Sequence, residues 1–277
     1  MSGARPGASG RYLRRFDAFD RFLHALLMVS FLGLSLTGLP LLFAEDAWAA
    51  RLARALGGPH TAGLLHRVFA FGLLLCFALH LGRVVGRLAR RDWGILWGPH
   101  SMVPRPKDFT DFVGHVRWFL GRGPRPAFDR WTYWEKFDYW AVFWGMGIIG
   151  GSGLVLWFPE LFATFLPGWA FNVALLIHGE EALLAVGFIF TIHFFNGHLR
   201  PEKFPMDTVI FTGVLPEDEL RHERPMEYER LRESGGLELL AAAPPSRATR
   251  KWSVMIGALA VLLGLVLVGF TIYAALN

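Results

Sequence analysis

Two histidines, His178 and His193, stand fifteen residues apart inside one long apolar stretch that runs from Phe171 toward Asp207. At about 1.5 Å per residue a helix places them roughly 22 Å apart along its axis, and fifteen steps of about 100° return the second to within roughly 60° of the first. Such a helix presents imidazole to one side at two depths. Ionisable side chains inside an apolar span are costly and default to a functional reading. Three more histidines fall at matching depths: His66 beside His178 in one layer, and His24 and His80 beside His193 in the other. A single intramembrane His is most simply a packing residue. Five of them, layered at two depths on three helices, exceed what packing explains. Axial ligation of two haems by imidazole in a helical bundle is the economical reading. The layer of His66 and His178 then has one possible ligand pair, whereas the other layer has three candidates for two positions. Zinc fits less well, because a structural zinc site gathers four ligands at one point, usually with Cys. The remaining histidines, His60, His100, His115, His198 and His222, fall in loops or at span ends.

The elements that must position these groups are membrane helices. The chain has 277 residues, is 53% hydrophobic and carries 25 Phe and 11 Trp; its mean hydropathy is +0.35. Five stretches are long and apolar enough to cross about 30 Å of hydrocarbon: Phe22–Phe43, Ala62–Gly86, Tyr139–Phe158, Val173–Phe195 and Ser253–Ala275. The expected fold is an all-α membrane protein, a four-helix haem-binding bundle over residues 1–200 with a fifth, C-terminal transmembrane helix at 252–277. That last helix has no charged or His residue within its apolar run and reads as an anchor. Residues 201–251 read as a cytoplasmic charged segment, helical over Glu217–Glu233, followed by a linker over Ser234–Arg250. Between the second and third spans, residues 107–121 place Phe109, Phe112, Val113, Val116, Phe119 and Leu120 at helical spacing, an amphipathic helix suited to the lipid interface. Gly33, Gly38 and Gly72, with the run Gly145, Gly147, Gly150, Gly151 and Gly153, allow close approach of a helix or a flat cofactor. Pro201 and Pro205 prevent the fourth span from continuing.

Charge and cysteine usage narrow the function. The lone Cys76 excludes an intramolecular disulfide and a Cys-ligated iron–sulfur cluster, and the absence of CxxCH excludes covalent c-type haem. The net charge of +5 is not a nucleic-acid signal, because Lys and Arg sort by loop. Five lie in the first 21 residues, Arg5 among them, ten between Arg87 and Lys136 and nine between His198 and Lys251, while Pro159–Asn172 has none. The positive-inside rule then puts the N-terminus and both long loops in the cytoplasm, and five spans put Asn277 outside. The charged N-terminus leads straight into a full-length span, which reads as an uncleaved anchor. A hydrolase is unsupported, since no nucleophile, base and orienting group stand together. A transporter relaying protons through His needs a connected chain of ionisable groups, and Leu183–Thr191 has none.

Several short pieces together resemble the di-haem cytochrome b subunits of membrane-bound formate dehydrogenases and nickel–iron hydrogenases. They are DRFLH in the first span, LLH in the second, EKFDYWAVFWGM and GLVLWFP around the third, and LLIH followed by TIHFF in the fourth. The segment HFFNGHLRPEKFPMD, with the fifth span, looks more like a subgroup whose members partner multihaem c-type cytochromes. The resemblance covers residues 16–197. It implies a respiratory complex in the bacterial cytoplasmic membrane, with two b haems. It implies His24 and His193 as ligands of the cytoplasmic-side haem, and His66 and His178 as ligands of the outer one. His80 has no counterpart in the family and is the alternative inner ligand; the spacing of fifteen on the fourth span departs from the family's fourteen. Menaquinone or ubiquinone is expected at the start of the third span, here Trp134, Glu135, Lys136 and Asp138, although the family's Asn and Gly contacts are missing there. Glu180 and Glu181, beside His178, are a second proton-handling or quinone site. Partners implied are lipid, a c-type cytochrome and iron–sulfur subunits. The rival readings are a free-standing cytochrome b561-like quinone oxidoreductase and a haem-free anchor or transporter.

Overall fold

The computed structural model describes residues 10–204 and 206–276. Arg5, Pro205 and Asn277 lie outside them. Among the described residues the chain is mostly helical, and five helices are long and apolar enough to cross a membrane: Ala18–Leu42, Pro59–Ala89, Tyr133–Trp157, Trp169–Leu199 and Arg247–Ala274. By length and composition this is a multi-pass membrane protein. In order the helices are α1 (Ala18–Leu42), α2 (Ala47–Ala55), α3 (Pro59–Ala89), α4 (Gly94–Trp97), α5 (Pro106–Phe119), α6 (Tyr133–Gly145) and α7 (Gly151–Trp157). Then come α8 (Pro159–Phe162), α9 (Trp169–Phe188), α10 (Val209–Thr212), α11 (Glu217–Glu223), α12 (Pro225–Glu233), α13 (Gly236–Leu239) and α14 (Arg247–Leu276). Three π turns interrupt the α geometry, at Met146–Gly150, Ile189–His193 and Phe195–Leu199.

The chain divides into two compact units. One comprises residues 22–80, 142–207 and 252–277 and holds most of the apolar helices. Its buried cluster joins Leu39 of α1, Trp48 and Ala49 of α2, Val186, Phe190 and Phe194 of the fourth apolar helix, and Leu267 of α14. Trp48 stacks on Phe270 with ring centroids 5.1 Å apart and planes 1° apart. The fifth apolar helix is therefore packed into this core on one face, more than an anchor requires.

The other unit comprises residues up to Arg21, Leu81–Ala141 and Thr208–Lys251. It corrects the all-α expectation. Strands β1 (Tyr12–Arg14), β2 (Val214–Pro216) and β3 (Ala241–Ala242) form an antiparallel sheet in the order β2-β1-β3. Strand alternation turns Leu13 inward, and it packs with Leu215, Leu220, Tyr228, Leu231 and Leu237. The stretch read as a linker thus contains α13 and β3, because Leu237 is needed to complete this small core. Arg15, next to β1, is buried with Glu227: its Nη1 donates to Glu227 Oε2 at 2.5 Å, while Arg130 Nη1 donates to Oε1 at 3.0 Å. Burial pulls the Arg15 guanidinium down to about 10, even with Glu227 beside it. Two reciprocal caps start helices here. Asp17 Oδ1 accepts from the Asp20 N–H at 2.7 Å at the start of α1, and Glu135 Oε2 accepts from the Thr132 N–H at 2.8 Å at the start of α6. The amphipathic helix falls at α5, with Phe109, Phe112, Val116 and Phe119 exposed and His115 buried.

Candidate functional site

His66 of α3 and His178 of α9 face each other with ring centroids 6.2 Å apart and planes at 74°. Each ring has its Nδ1 held by a neighbouring helix. His66 Nδ1 lies 3.1 Å from Thr37 Oγ1. The Thr37 hydroxyl donates to the Gly33 carbonyl at 2.7 Å, so its lone pair is left to accept an Nδ1–H. His178 Nδ1 lies 3.0 Å from the Ile149 carbonyl, which can only accept. Ile149 belongs to the π turn Met146–Gly150, where the backbone ladder shifts register and a carbonyl is open to a side-chain donor. Ser152 Oγ, which donates to Ile148 O at 2.7 Å, stands 3.3 Å from the same Nδ1. Both imidazoles are thereby assigned Nδ1 as the donor, so in the neutral ring Nε2 carries the free lone pair.

That tautomer is the one an axial metal ligand needs, with the other nitrogen oriented by an outer partner. Two imidazoles on opposite sides of one metal atom, at about 2.0–2.1 Å per bond, hold their centroids roughly 6 Å apart. The observed spacing of 6.2 Å is one that two imidazoles holding a single metal atom would have. Two glycines make the placement possible. A Cβ on Gly38 would lie 2.9 Å from His66 Cε1, and one on Gly153 would lie 3.0 Å from His178 Cε1. Gly33 and Gly72, by contrast, are filled by protein, facing the Phe69 ring and Ser30.

In the second layer His24 lies on α1, while the His193 and His198 rings stand 6.3 and 6.1 Å from the Phe194 ring between them. His193 ends the π turn Ile189–His193, and His198 lies in the next one. His198, expected in a loop or at a span end, stands at the end of the fourth span, Trp169–Leu199. The signal for it is the five-residue spacing HFFNGH, because i→i+5 hydrogen bonding in a π turn brings such residues near each other. The Nδ1 of His198 is buried without a hydrogen-bond partner. His80 packs edge to face on Phe143, with centroids 6.0 Å apart. Among the described residues no group of three or more His, Cys, Asp or Glu converges as a metal site.

Of the carboxylates and lysine singled out from sequence, Glu135, Lys136 and Glu181 have hydrogen-bond partners. Glu135 caps α6 and accepts from Arg224 Nη2 at 2.8 Å. Lys136 is buried and donates to both Asp108 oxygens at 2.9 and 2.8 Å. Asp138 is half-buried on the same helix. Glu180 is exposed; Glu181 is half-buried and accepts from the indole of Trp144 at 3.1 Å. Compared with models of known protein families and with curated proteins, the chain matches none.

Proposed function

We propose that the protein is the integral-membrane di-haem cytochrome b subunit of a respiratory complex, carrying electrons between the membrane quinone pool and an extracytoplasmic redox partner. The observation that carries this reading is the His66–His178 pair: centroids 6.2 Å apart, both Nδ1 groups engaged, both rings cleared by glycine. Haem b, when bound, supplies reversible one-electron transfer at its iron. His66 and His178 would hold one such group. His24 and His193 would hold the other, with His80 the alternative inner ligand. Thr37 and Ile149 hold the Nδ1 of each ring, which would leave Nε2 for the iron. The apolar side chains around both layers keep water away, which sets how readily charge is accepted there.

The quinone is a substrate in this reading, menaquinone or ubiquinone. Releasing two electrons from a quinol also releases two protons, so a proton acceptor must stand at the site. Glu181, oriented by the Trp144 N–H, is the favoured acceptor, with Glu180 beside it. Glu135, Lys136 and Asp138 are the other candidate region, and there Glu135 and Lys136 are held in ion pairs with Arg224 and Asp108. Electron flow from quinol toward a multihaem c-type cytochrome is the preferred direction, and iron–sulfur subunits are the alternative partners. The complex would sit in a bacterial cytoplasmic membrane with the N-terminus inside.

The test is a reduced-minus-oxidised spectrum with pyridine haemochrome quantitation on the purified chain. Two b haems per chain, falling to one in His178→Ala, support the reading. No haem in the wild type overturns it and favours a haem-free anchor or transporter.

A further inference from the structure

The fourth apolar helix reaches His193 through a π turn, and that turn is held by the fifth. A Cβ built on Gly264 of α14 would lie 2.7 Å from Phe190 Cδ1 and 2.7 Å from Phe194 Cε2. Real side chains do not approach so closely, so both rings occupy space that only glycine leaves. Phe190 lies inside the π turn Ile189–His193 and is 1% exposed. Its ring meets Phe31 of α1 edge to face at 5.7 Å and Phe194 at 5.4 Å, and Phe194 in turn lies 6.3 Å from the His193 ring. Leu267, one turn beyond Gly264, is also 1% exposed.

A π turn is rare and persists where its surroundings hold it. Its effect on His193 is large. Fifteen α-helical steps from His178 would leave His193 about 60° to one side; absorbing one residue in a π turn leaves fourteen, about 40° to the other, a swing of roughly 100°. The bearing of His193 relative to His178 therefore depends on whether the turn is kept.

We infer that Gly264 is a positioning residue for His193. The fifth apolar helix receives Phe190 and Phe194 at Gly264, locks the π turn, and so sets the direction in which His193 presents its imidazole. The haem consequence rests on the di-haem reading; the packing consequence does not.

The experiment compares Gly264→Ala with Gly269→Ala on the same helix, where a Cβ meets nothing within 4 Å. Gly264→Leu extends the series, and Gly264→Ala with Phe190→Leu restores room. Hydrogen exchange over residues 187–199 should quicken in Gly264→Ala, stay unchanged in Gly269→Ala and recover in the double variant. In haem-loaded protein, Gly264→Ala should shift the midpoint potential and low-spin resonance of one haem and release it roughly tenfold faster, leaving the other unchanged. Equal exchange in the two alanine variants overturns the inference. Altered exchange with both haems unshifted overturns the positioning of His193 while leaving the di-haem reading intact. A haem-free wild type overturns that reading instead, and the exchange contrast still decides whether Gly264 holds the turn.

Discussion

Replacing Thr37 by Val tests the site at its smallest part. Val keeps nearly the shape of Thr and removes the oxygen that accepts the His66 Nδ1–H at 3.1 Å. Thr37 is 1% exposed, so water cannot easily take its place. A buried donor left without an acceptor costs about 1–3 kcal/mol. The expected penalty is therefore about 1–3 kcal/mol, roughly five- to 150-fold in the ligand equilibrium. Transfer of haem to a scavenging apoprotein, followed in the Soret band, measures it. Thr37→Val should release one of the two haems faster by that factor. Thr37→Ser, which keeps the hydroxyl, should behave like the wild type. Equal release from Thr37→Val and the wild type would refute the argument that Thr37 orients His66.

Two predictions concern the unit built on the sheet. Glu227→Ala leaves the buried guanidinium of Arg15 and the half-buried one of Arg130 without their shared carboxylate and should destabilise this unit by about 3–5 kcal/mol, read as protease sensitivity between Thr208 and Lys251 in detergent. An unchanged digestion pattern would show that the pair contributes little. The Arg83 guanidinium, bonded to Asp17 Oδ2 at 2.6 Å, holds the Asp17 carboxyl below its ordinary range. A depressed carboxyl means the unfolded chain binds more protons, so this contribution is complete above about pH 4 and is lost as pH falls through the lower folded value. Asp17 is exposed, so the amount is about 0.2–1 kcal/mol. Stability of Asp17→Asn against the wild type should differ at pH 6 and converge in acid.

Composition and apolar runs made the five long helices legible, and each observed helix overlaps its expected span. His66 and His178 were legible as a pair because both fall near one end of strong apolar runs. What escaped was whatever depends on distant chain. A strand of two or three residues has no usable period, so Tyr12–Arg14 and Ala241–Ala242 carry no signal until Leu13 finds Leu215 and Leu237. The π turns escaped because α periodicity runs straight through them, and the fourth apolar helix continues past the expected Phe195 to Leu199, with His198 at its end. The capping role of Glu135 was readable in the order Thr132-Tyr-Trp-Glu135, but a charged residue at the start of an apolar helix drew a chemical reading first.

The pairing of β1 has a consequence in time. Arg15 and its partner Glu227 are 212 residues apart, and β3 lies further still along the chain. At about 5–20 residues per second, translation needs roughly 10–40 s to deliver Glu227 after Arg15 has emerged. Four of the five long helices are made in that interval, before the sheet can close. The first strand must therefore wait with its hydrogen-bonding edges open and its arginine in water. Assembly of this unit is a late event, and a nascent chain stopped short of residue 241 cannot complete it.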